Sequence, residues 1–274
     1  MSIFKNTPYC IVVDNGSENI LELKKLCSRL KVECISLKNN LGIAGAQNIG
    51  IKKAIEAGAD YVWISDQDTI YPNDFLSTML NELKGRQDSN NIAAIGPSFY
   101  DNLKGKRYPF ERFTPWKKSL PISNETTEVS QLIASGMIIP AKAFKEIGLK
   151  NEALFIDWVD FEWCWRATFL GWKILGTGKI IIEHHLGDET VSFFGRTVTL
   201  RSPFRHYHMI RNGVYLALYS PYLKWQNRLE IFLISIRWLI AYPLLAKRDK
   251  MTHLNLCYKA FWHGLSAKLS SISE

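Results

Sequence analysis

The chain has 274 residues, of which 47% are hydrophobic and 22% are charged, a composition that supports a packed core and excludes global disorder. The net charge of +8 lies in the last quarter, because residues 1–200 carry 23 basic and 23 acidic side chains and residues 201–274 carry 11 and 3. Five cysteines without a C-x-x-C pair indicate neither a zinc site nor a disulfide framework, and they favour a reducing compartment. The most apolar run, residues 231–246, contains Arg237 and Pro243 and would form a helix of about 24 Å, so we do not expect it to span a bilayer.

The first seventy residues alternate strand and helix signals. Short apolar runs predict strands, and a helix capped by Ser17 is expected between the first two, followed by a loop and a helix that begins at Ala46. Strands that are apolar throughout and joined by helices predict a mostly parallel sheet covered on both faces. The predicted strands cover residues 10–14, 34–37 and 61–65, the helices 18–30 and 46–57, and the loop 39–45.

The middle of the chain has mixed signals, and the end is helical. Further strands are predicted at 92–99, 132–139 and 172–182, a polar surface excursion at 101–128, and a helix at 158–170. Beyond Pro203 only helix signals remain. We therefore divide the chain into a domain of residues 1–203 and a helical extension of residues 204–274.

Two carboxylates, Asp66 and Asp68, follow the third strand in a D-x-D pattern. Ligands bind beyond the carboxyl ends of the strands in such sheets, and paired carboxylates there suit Mg²⁺ or Mn²⁺ bridging to substrate phosphates. An ordinary acidic turn is the alternative.

A second acidic cluster lies in the segment LFIDWVDFEWCWR. Asp157 and Asp160 would share a helix face, and the surrounding tryptophans would desolvate a carboxylate and make it a better base. The alternative is a solvated acidic face beside a core stripe. His184 or His185, after the last strand, could complete a metal site.

A loop of small residues, 40–50, runs into a helix and allows close approach of a phosphate. It lacks the G-x-G-x-x-G fingerprint and the Lys-Ser/Thr of a P-loop, so neither a nicotinamide cofactor nor a P-loop nucleotide site is indicated.

Taken in order, the motifs of this chain resemble those of the family 2 glycosyltransferases, and most closely the bacterial rhamnosyltransferases of surface-polysaccharide (O-antigen or capsule) synthesis. The resemblance covers about residues 10–215. It implies an α/β nucleotide-diphospho-sugar transferase (GT-A) fold, inversion at the anomeric carbon, and use of Mg²⁺ or Mn²⁺. The motifs are VDNGS (13–17), N-x-G-x-A-x-A-x-N-x-G (40–50), DQD (66–68), SG (135–136), LFID-x-x-D-x-E-x-C-x-R (154–166), HHLGD (184–188) and RN (211–212).

The resemblance assigns roles to individual positions. Asp160 matches the general base, and Glu162 matches the acidic position after it. The metal and diphosphate motif is matched by Asp66 and Asp68, with His184 near the metal and His185 as the alternative. The nucleotide-binding positions are matched by Asp14, which reads the base, and by Asn15, Asn40, Gly42, Asn48 and Asp66.

One departure from the family pattern stands out. The family opens with a strand and helix before the VDNGS strand. We expect both to be missing here, which would leave an unpaired sheet edge.

The resemblance implies dTDP-L-rhamnose as donor and a lipid-linked saccharide as acceptor. UDP-galactose, UDP-glucose or a galactofuranose donor is the alternative, and an inactive remnant or a metal phosphohydrolase is a rival of another class.

The basic, apolar tail predicts helices in a membrane interface, with Leu254, Tyr258, Phe261, Leu265 and Leu269 on one stripe. We therefore expect a peripheral protein on the cytoplasmic face of the cell membrane. Packing on a second subunit, as in a homo-oligomer, is the alternative, and the absence of a nucleic-acid motif disfavours nucleic acid.

Overall fold

The structure is a computed structural model that describes residues 7, 9–86, 91–101, 105–183, 190–193, 196–246 and 249–269. Helices occur throughout the described chain, with a short 3-10 helix at Glu152–Leu154. The strands are β1 (Ile11–Asp14), β2 (Glu33–Ser36), β3 (Tyr61–Ile64), β4 (Ile92–Asp101), β5 (Lys106–Arg107), β6 (Glu111–Phe113), β7 (Lys117–Ser119), β8 (Thr126–Val129), β9 (Met137–Pro140), β10 (Lys173–Glu183), β11 (Thr190–Phe193) and β12 (Arg196–Thr199). The helices are α1 (Ile20–Leu30), α2 (Gly42–Glu56), α3 (Phe75–Lys84), α4 (Ala141–Ile147), α5 (Val159–Phe169), α6 (Pro203–Tyr219), α7 (Trp225–Leu245) and α8 (Lys250–Leu265).

A six-stranded sheet in the order β3-β9-β4-β10-β8, with β5 added to β4, forms the centre of the fold. Strands β4 and β10 pair in parallel, whereas β9 is antiparallel to β3 and β4, and β8 is antiparallel to β10. Strands β1 and β2 form a separate parallel pair, and β6–β7 and β11–β12 form antiparallel ribbons. The α/β fold with flanking helices is therefore confirmed, with a mixed central sheet.

Apolar side chains cover both faces of the six-stranded sheet. Along β3, Val62 and Ile64 join the core beneath α4 and α5, whereas Tyr61 and Trp63 point to the core beneath α3. This alternation follows from the period of two in a strand, and it explains why the strand sequences are apolar throughout.

Three element boundaries differ from those predicted. Ser17 does not cap α1, because its N–H donates to the carboxylate of Asp14 and α1 begins at Ile20 after Asn19. Helix α2 begins at Gly42, not Ala46, and so includes most of the predicted loop. The strand predicted at 132–139 is shortened to β9, because Gly136 adopts a φ of +81° in the turn before it.

The described residues after Pro203 are helical, as predicted. Helices α6, α7 and α8 share a core around Tyr207, Val214, Tyr242 and Cys257. Helix α6 also packs on the preceding residues through Leu216, which shares a core cluster with Leu154 and Val159. The domain division at residue 203 stays a prediction. Within the described residues, no helix combines the length and the apolarity needed to cross a bilayer.

Candidate active site

The turn after β1 and the loop after β2 are joined by side-chain amides. Asn15 donates from Nδ2 to Oδ1 of Asn40 at 2.8 Å and accepts the N–H of Leu41 at 2.8 Å. Oδ1 of Asn40 also accepts the N–H of Gly42 at 2.9 Å, and the buried carboxylate of Asp14 accepts the N–H of Gly16. The VDNGS and 40–50 motifs therefore form one rigid surface at the carboxyl ends of β1 and β2.

Gly42 joins this surface to the segment that precedes the proposed base. It has a φ of +75°, and a Cβ added there would lie 2.5 Å from the carbonyl oxygen of Phe155. The N–H of Ala44 donates to the same oxygen at 3.4 Å. Small residues in this motif thus let α2 approach the 155–160 segment, which a side chain at residue 42 would prevent.

The segment Ala134–Ser135 brings the two acidic motifs together. The Ser135 hydroxyl donates to Oδ2 of Asp66, and the Ala134 N–H donates to Oδ2 of Asp160 at 3.1 Å. Because these two donors belong to adjacent residues, the carboxylates of Asp66 and Asp160 lie close together at one edge of the sheet. Asp68, two residues after Asp66, is exposed.

A buried tyrosine supports the D-x-D turn from below. Tyr71 donates its hydroxyl to Oγ of Ser65 at 2.8 Å, next to Asp66. Burial raises the pKa of Tyr71 to about 12, so the hydroxyl stays a neutral donor at physiological pH.

Lys150 fixes the second carboxylate oxygen of Asp160. Its Nζ lies 2.8 Å from Oδ1, and its own backbone is held by Asn48, which accepts the Lys150 N–H and donates to the Lys150 carbonyl. Asn48 is only 1% exposed and also donates to Glu152. The amide of Asn48 therefore holds the 150–152 segment and supports Asp160 indirectly, and its nucleotide contact stays a prediction.

Helix α6 holds the backbone that leads into α5. Phe155, Asp157 and Trp158 have φ values of 65°, 59° and 65°, which are costly for residues with side chains. Asn212 donates to the carbonyls of Leu154, Ile156 and Asp157 at 2.8 to 3.1 Å. The RN motif therefore positions the loop before Asp160.

Two further residues hold the loop before α5. Arg211 donates to the carbonyls of Ala153 and Leu154. Asp157 forms an ion pair with Arg205 of α6 at 2.8 Å. Its carboxylate therefore joins this loop to α6.

Glu162 belongs to another face of α5. It is buried and receives two hydrogen bonds from Arg166, each at 3.0 Å. Both residues line a cavity of about 340 Å³ with Tyr215, Tyr219 and Tyr222. None of the predicted nucleotide or metal residues lines this cavity, so the predicted donor site lies outside it.

The predicted metal residues are only partly described. His184 and His185 lie outside the described residues, as does the rest of HHLGD. Among the residues that the structure describes, no group of three or more His, Cys, Asp or Glu could hold a metal ion. The donor set that is described, two carboxylates at the end of β3, consists of the hard oxygen ligands that Mg²⁺ and Mn²⁺ prefer.

Sequence reasoning missed three supporting residues. Lys150 and the Ser135 hydroxyl contact the predicted carboxylates, and Asn212 holds the loop before Asp160. The SG and RN motifs marked two of these positions without giving them a role. The sequence gives no indication that Lys150 belongs to the site, because a lysine in a polar loop is expected to be exposed.

The comparisons with known proteins place this geometry in a family. The family model described as "Glycosyl transferase family 2" matches residues 5–148, about half of the chain. This chain belongs to glycosyl transferase family 2. The glycosyltransferase is 34% identical over 223 residues to the dTDP-rhamnosyl transferase RfbF of Shigella flexneri, covering 76% of this chain and 70% of that one. It is 24% identical over 250 residues to the low-salt glycan biosynthesis hexosyltransferase Agl10 of Haloferax volcanii, covering 87% and 77%.

Solved structures show the same fold. GalNAc-T7 in complex with UDP, GalNAc and Mn²⁺ matches with a TM-score of 0.54 at 13% identity, and TarS of S. aureus matches with 0.51 at 15%. Each match covers 98% of the glycosyltransferase, which spans only 54% and 46% of those longer chains. At these identities the likeness shows the GT-A fold alone.

Proposed function

We propose that this glycosyltransferase moves L-rhamnose from dTDP-L-rhamnose to a saccharide acceptor with inversion at the anomeric carbon. The observation that carries the proposal is the shared anchorage of Asp66 and Asp160 on Ser135 and Ala134. The donor is taken from the similarity to the dTDP-rhamnosyl transferase RfbF. A donor diphosphate next to Asp66 would present its sugar to Asp160.

Asp160 acts as the general base. Its carboxylate takes the proton from the acceptor hydroxyl while that oxygen attacks the anomeric carbon and the bond from this carbon to the diphosphate oxygen breaks. The Ala134 N–H and the Lys150 ammonium bind one oxygen each, which keeps the carboxylate oriented. Such orientation matters because a small misplacement of a base lowers the rate steeply.

Asp66 and Asp68 would hold a divalent cation, Mg²⁺ or Mn²⁺. Such an ion, when bound, neutralises charge that develops on the departing nucleoside diphosphate. The Ser135 hydroxyl orients Asp66, and the exposed Asp68 is the residue that a diphosphate from solvent would reach first. Asp14, Asn15, Asn40 and Gly42 form the wall on which the nucleoside rests in this proposal.

The acceptor in this proposal is a lipid-linked saccharide of surface-polysaccharide synthesis, handled at the cytoplasmic face of the cell membrane. The basic C-terminal quarter supports this location, because it would be attracted to anionic lipid.

Purified protein should release dTDP from dTDP-L-rhamnose only when a lipid-linked acceptor is present, and UDP-galactose, UDP-glucose and UDP-galactofuranose should be poor donors. Asp160→Asn should abolish transfer yet bind dTDP-L-rhamnose with unchanged affinity in calorimetry. Asp157→Asn is the matched control, because that carboxylate pairs with Arg205, and it should retain measurable transfer. Turnover by Asp160→Asn would remove Asp160 from the base role, and a preference for UDP sugars would overturn the donor.

A further inference from the structure

The outer face of α7 is an apolar stripe that faces solvent. Its residues are four or seven positions apart, so they lie within about 100° of arc on the helix. Trp225 is 65% exposed and Leu244 is 63% exposed at its two ends. The opposite face of the helix is buried through Asn227, Ile231 and Ser235. The α7 stripe consists of Trp225, Leu229, Leu233, Ile240 and Leu244.

Helix α8 carries a second exposed stripe. Its core-facing residues Cys257 and Ala260 belong to the same core cluster as Tyr242 of α7, and His253 is buried next to His206. The exposed residues of this α8 stripe are Met251, Leu254, Tyr258 and Trp262. Phe261 and Leu265, which the sequence pattern placed on the exposed stripe, are partly buried in the core.

Lysines border the α8 stripe. Lys250 and Lys259 are exposed and lie on either side of it, each within about 60° of arc. Residues 201–274 carry 11 basic and 3 acidic side chains, so this charge is not balanced locally. Lysines at the margins of an apolar stripe can keep their ammonium groups among anionic head groups while the apolar side chains enter the acyl boundary.

We infer that the α7 and α8 stripes form a docking surface for an anionic phospholipid bilayer, on which these helices lie in the plane of the interface. The length of the stripes, their exposed tryptophan and tyrosine side chains, and the bordering lysines fit a lipid surface better than a protein partner. Only the purpose of this docking, which is to reach a lipid-linked acceptor, rests on the proposed function. Vesicle binding itself requires neither donor nor acceptor.

Sedimentation of the full chain with phosphatidylcholine vesicles, with and without phosphatidylglycerol, tests this surface. Wild type should bind the anionic vesicles, and Leu233→Asp should weaken that binding at least about tenfold. Lys259→Glu should weaken it by about fivefold per unit of charge on anionic vesicles only. The control Leu21→Asp changes a leucine of α1 that is 73% exposed and should bind as wild type does.

Circular dichroism should show that all variants fold. Equal losses for Leu21→Asp and Leu233→Asp would overturn the inference. A dimer that Leu233→Asp dissociates, without any vesicle binding, would assign the stripes to a second copy and also overturn it. Vesicle binding by a chain that does not transfer rhamnose would contradict the proposed function alone.

Discussion

Lys150 and Asp160 form an ion pair in which Nζ lies 2.8 Å from Oδ1, with the lysine side chain 0% exposed and the aspartate side chain 23% exposed. The pair connects the segment after α4 to the first turn of α5. Because Asn48 of α2 holds both backbone groups of Lys150, helix α2 is linked to the proposed base through one lysine.

Replacing Lys150 should reveal this link. Lys150→Met should lower the free energy of unfolding by about 2 kcal/mol, less than for a fully buried pair because Asp160 keeps contact with water. It should also lower kcat while the affinity for dTDP-L-rhamnose is unchanged. Denaturant titration and steady-state kinetics measure the two effects.

The double variant Lys150→Met/Asp160→Asn should recover more than half of the lost stability, because it removes the unpaired carboxylate. Lys145→Met on α4 is the control and should change stability by no more than about 0.5 kcal/mol. Strictly additive losses in the double variant would show that the two residues are not coupled.

Asp68 should be required for metal-dependent nucleotide binding. Asp68→Ala should lower the affinity for dTDP in the presence of Mn²⁺ at least about tenfold, and it should have no effect when the metal is chelated. Calorimetry measures both conditions. Asp60→Ala, at the opposite end of β3, is the control. If Asp68→Ala binds dTDP with Mn²⁺ as tightly as the control does, the cation is not held by Asp68.

The sequence predicted which residues gather at the site better than it predicted what each residue does there. Asp66 was expected at the edge of the sheet, because polar residues that follow strands converge there, whereas Asp160 was expected on a helix. In the structure, adjacent residues donate hydrogen bonds to the two carboxylates. The sequence did not predict that Asn48 holds the backbone of Lys150, because its position in a helix after a loop does not show that its side chain is buried. Lys150 could not be found, because only tertiary packing of Trp163 and Asp160 around it turns a loop lysine into a buried one.

Asn212 should act as a positioning residue. Asn212→Ala removes hydrogen bonds to three carbonyls and should destabilise the fold by about 2–3 kcal/mol, because the partly buried carbonyls of Ile156 and Asp157 lose this donor. The carbonyl of Leu154 keeps its hydrogen bond from Arg211. It should also lower kcat, since Phe155, Asp157 and Trp158 can then relax from their left-handed conformation.

Asn227→Ala is the matched control for this variant. Asn227 is equally buried, but its amide donates to the Pro115 carbonyl, away from Asp160. It should lower stability and leave kcat per folded molecule unchanged. Equal kinetic effects of the two variants would show that the loss reflects stability alone.

The C-terminal helices should lose stability in acid because they bury neutral histidines. His206 accepts the Arg201 N–H on Nε2, so its proton is on Nδ1 and points to Nδ1 of His253 at 3.1 Å. Burial lowers the pKa of His206 to about 3 and that of His208 to about 4, with Arg201 and Arg205 adding to the effect at His206.

The sign of this dependence follows from the lowered pKa. Below pH 6.5, His206 binds a proton in the unfolded chain but stays neutral in the folded chain. The contribution of His206 to the free energy of unfolding is therefore complete above this pH and is lost as the pH decreases toward 3. Urea titrations should show a loss of about 2–3 kcal/mol from His206 alone at pH near 4.5 relative to neutral pH. His206→Gln should be less stable than wild type at neutral pH but lose less stability on acidification, because glutamine does not titrate.

Asn227→Ala serves again as the control, since it is destabilised without losing a histidine. Its free energy of unfolding should change with pH as that of wild type does. If the free energy of unfolding of His206→Gln falls with pH as steeply as that of wild type, carboxylates, and not this histidine, govern the loss of stability in acid.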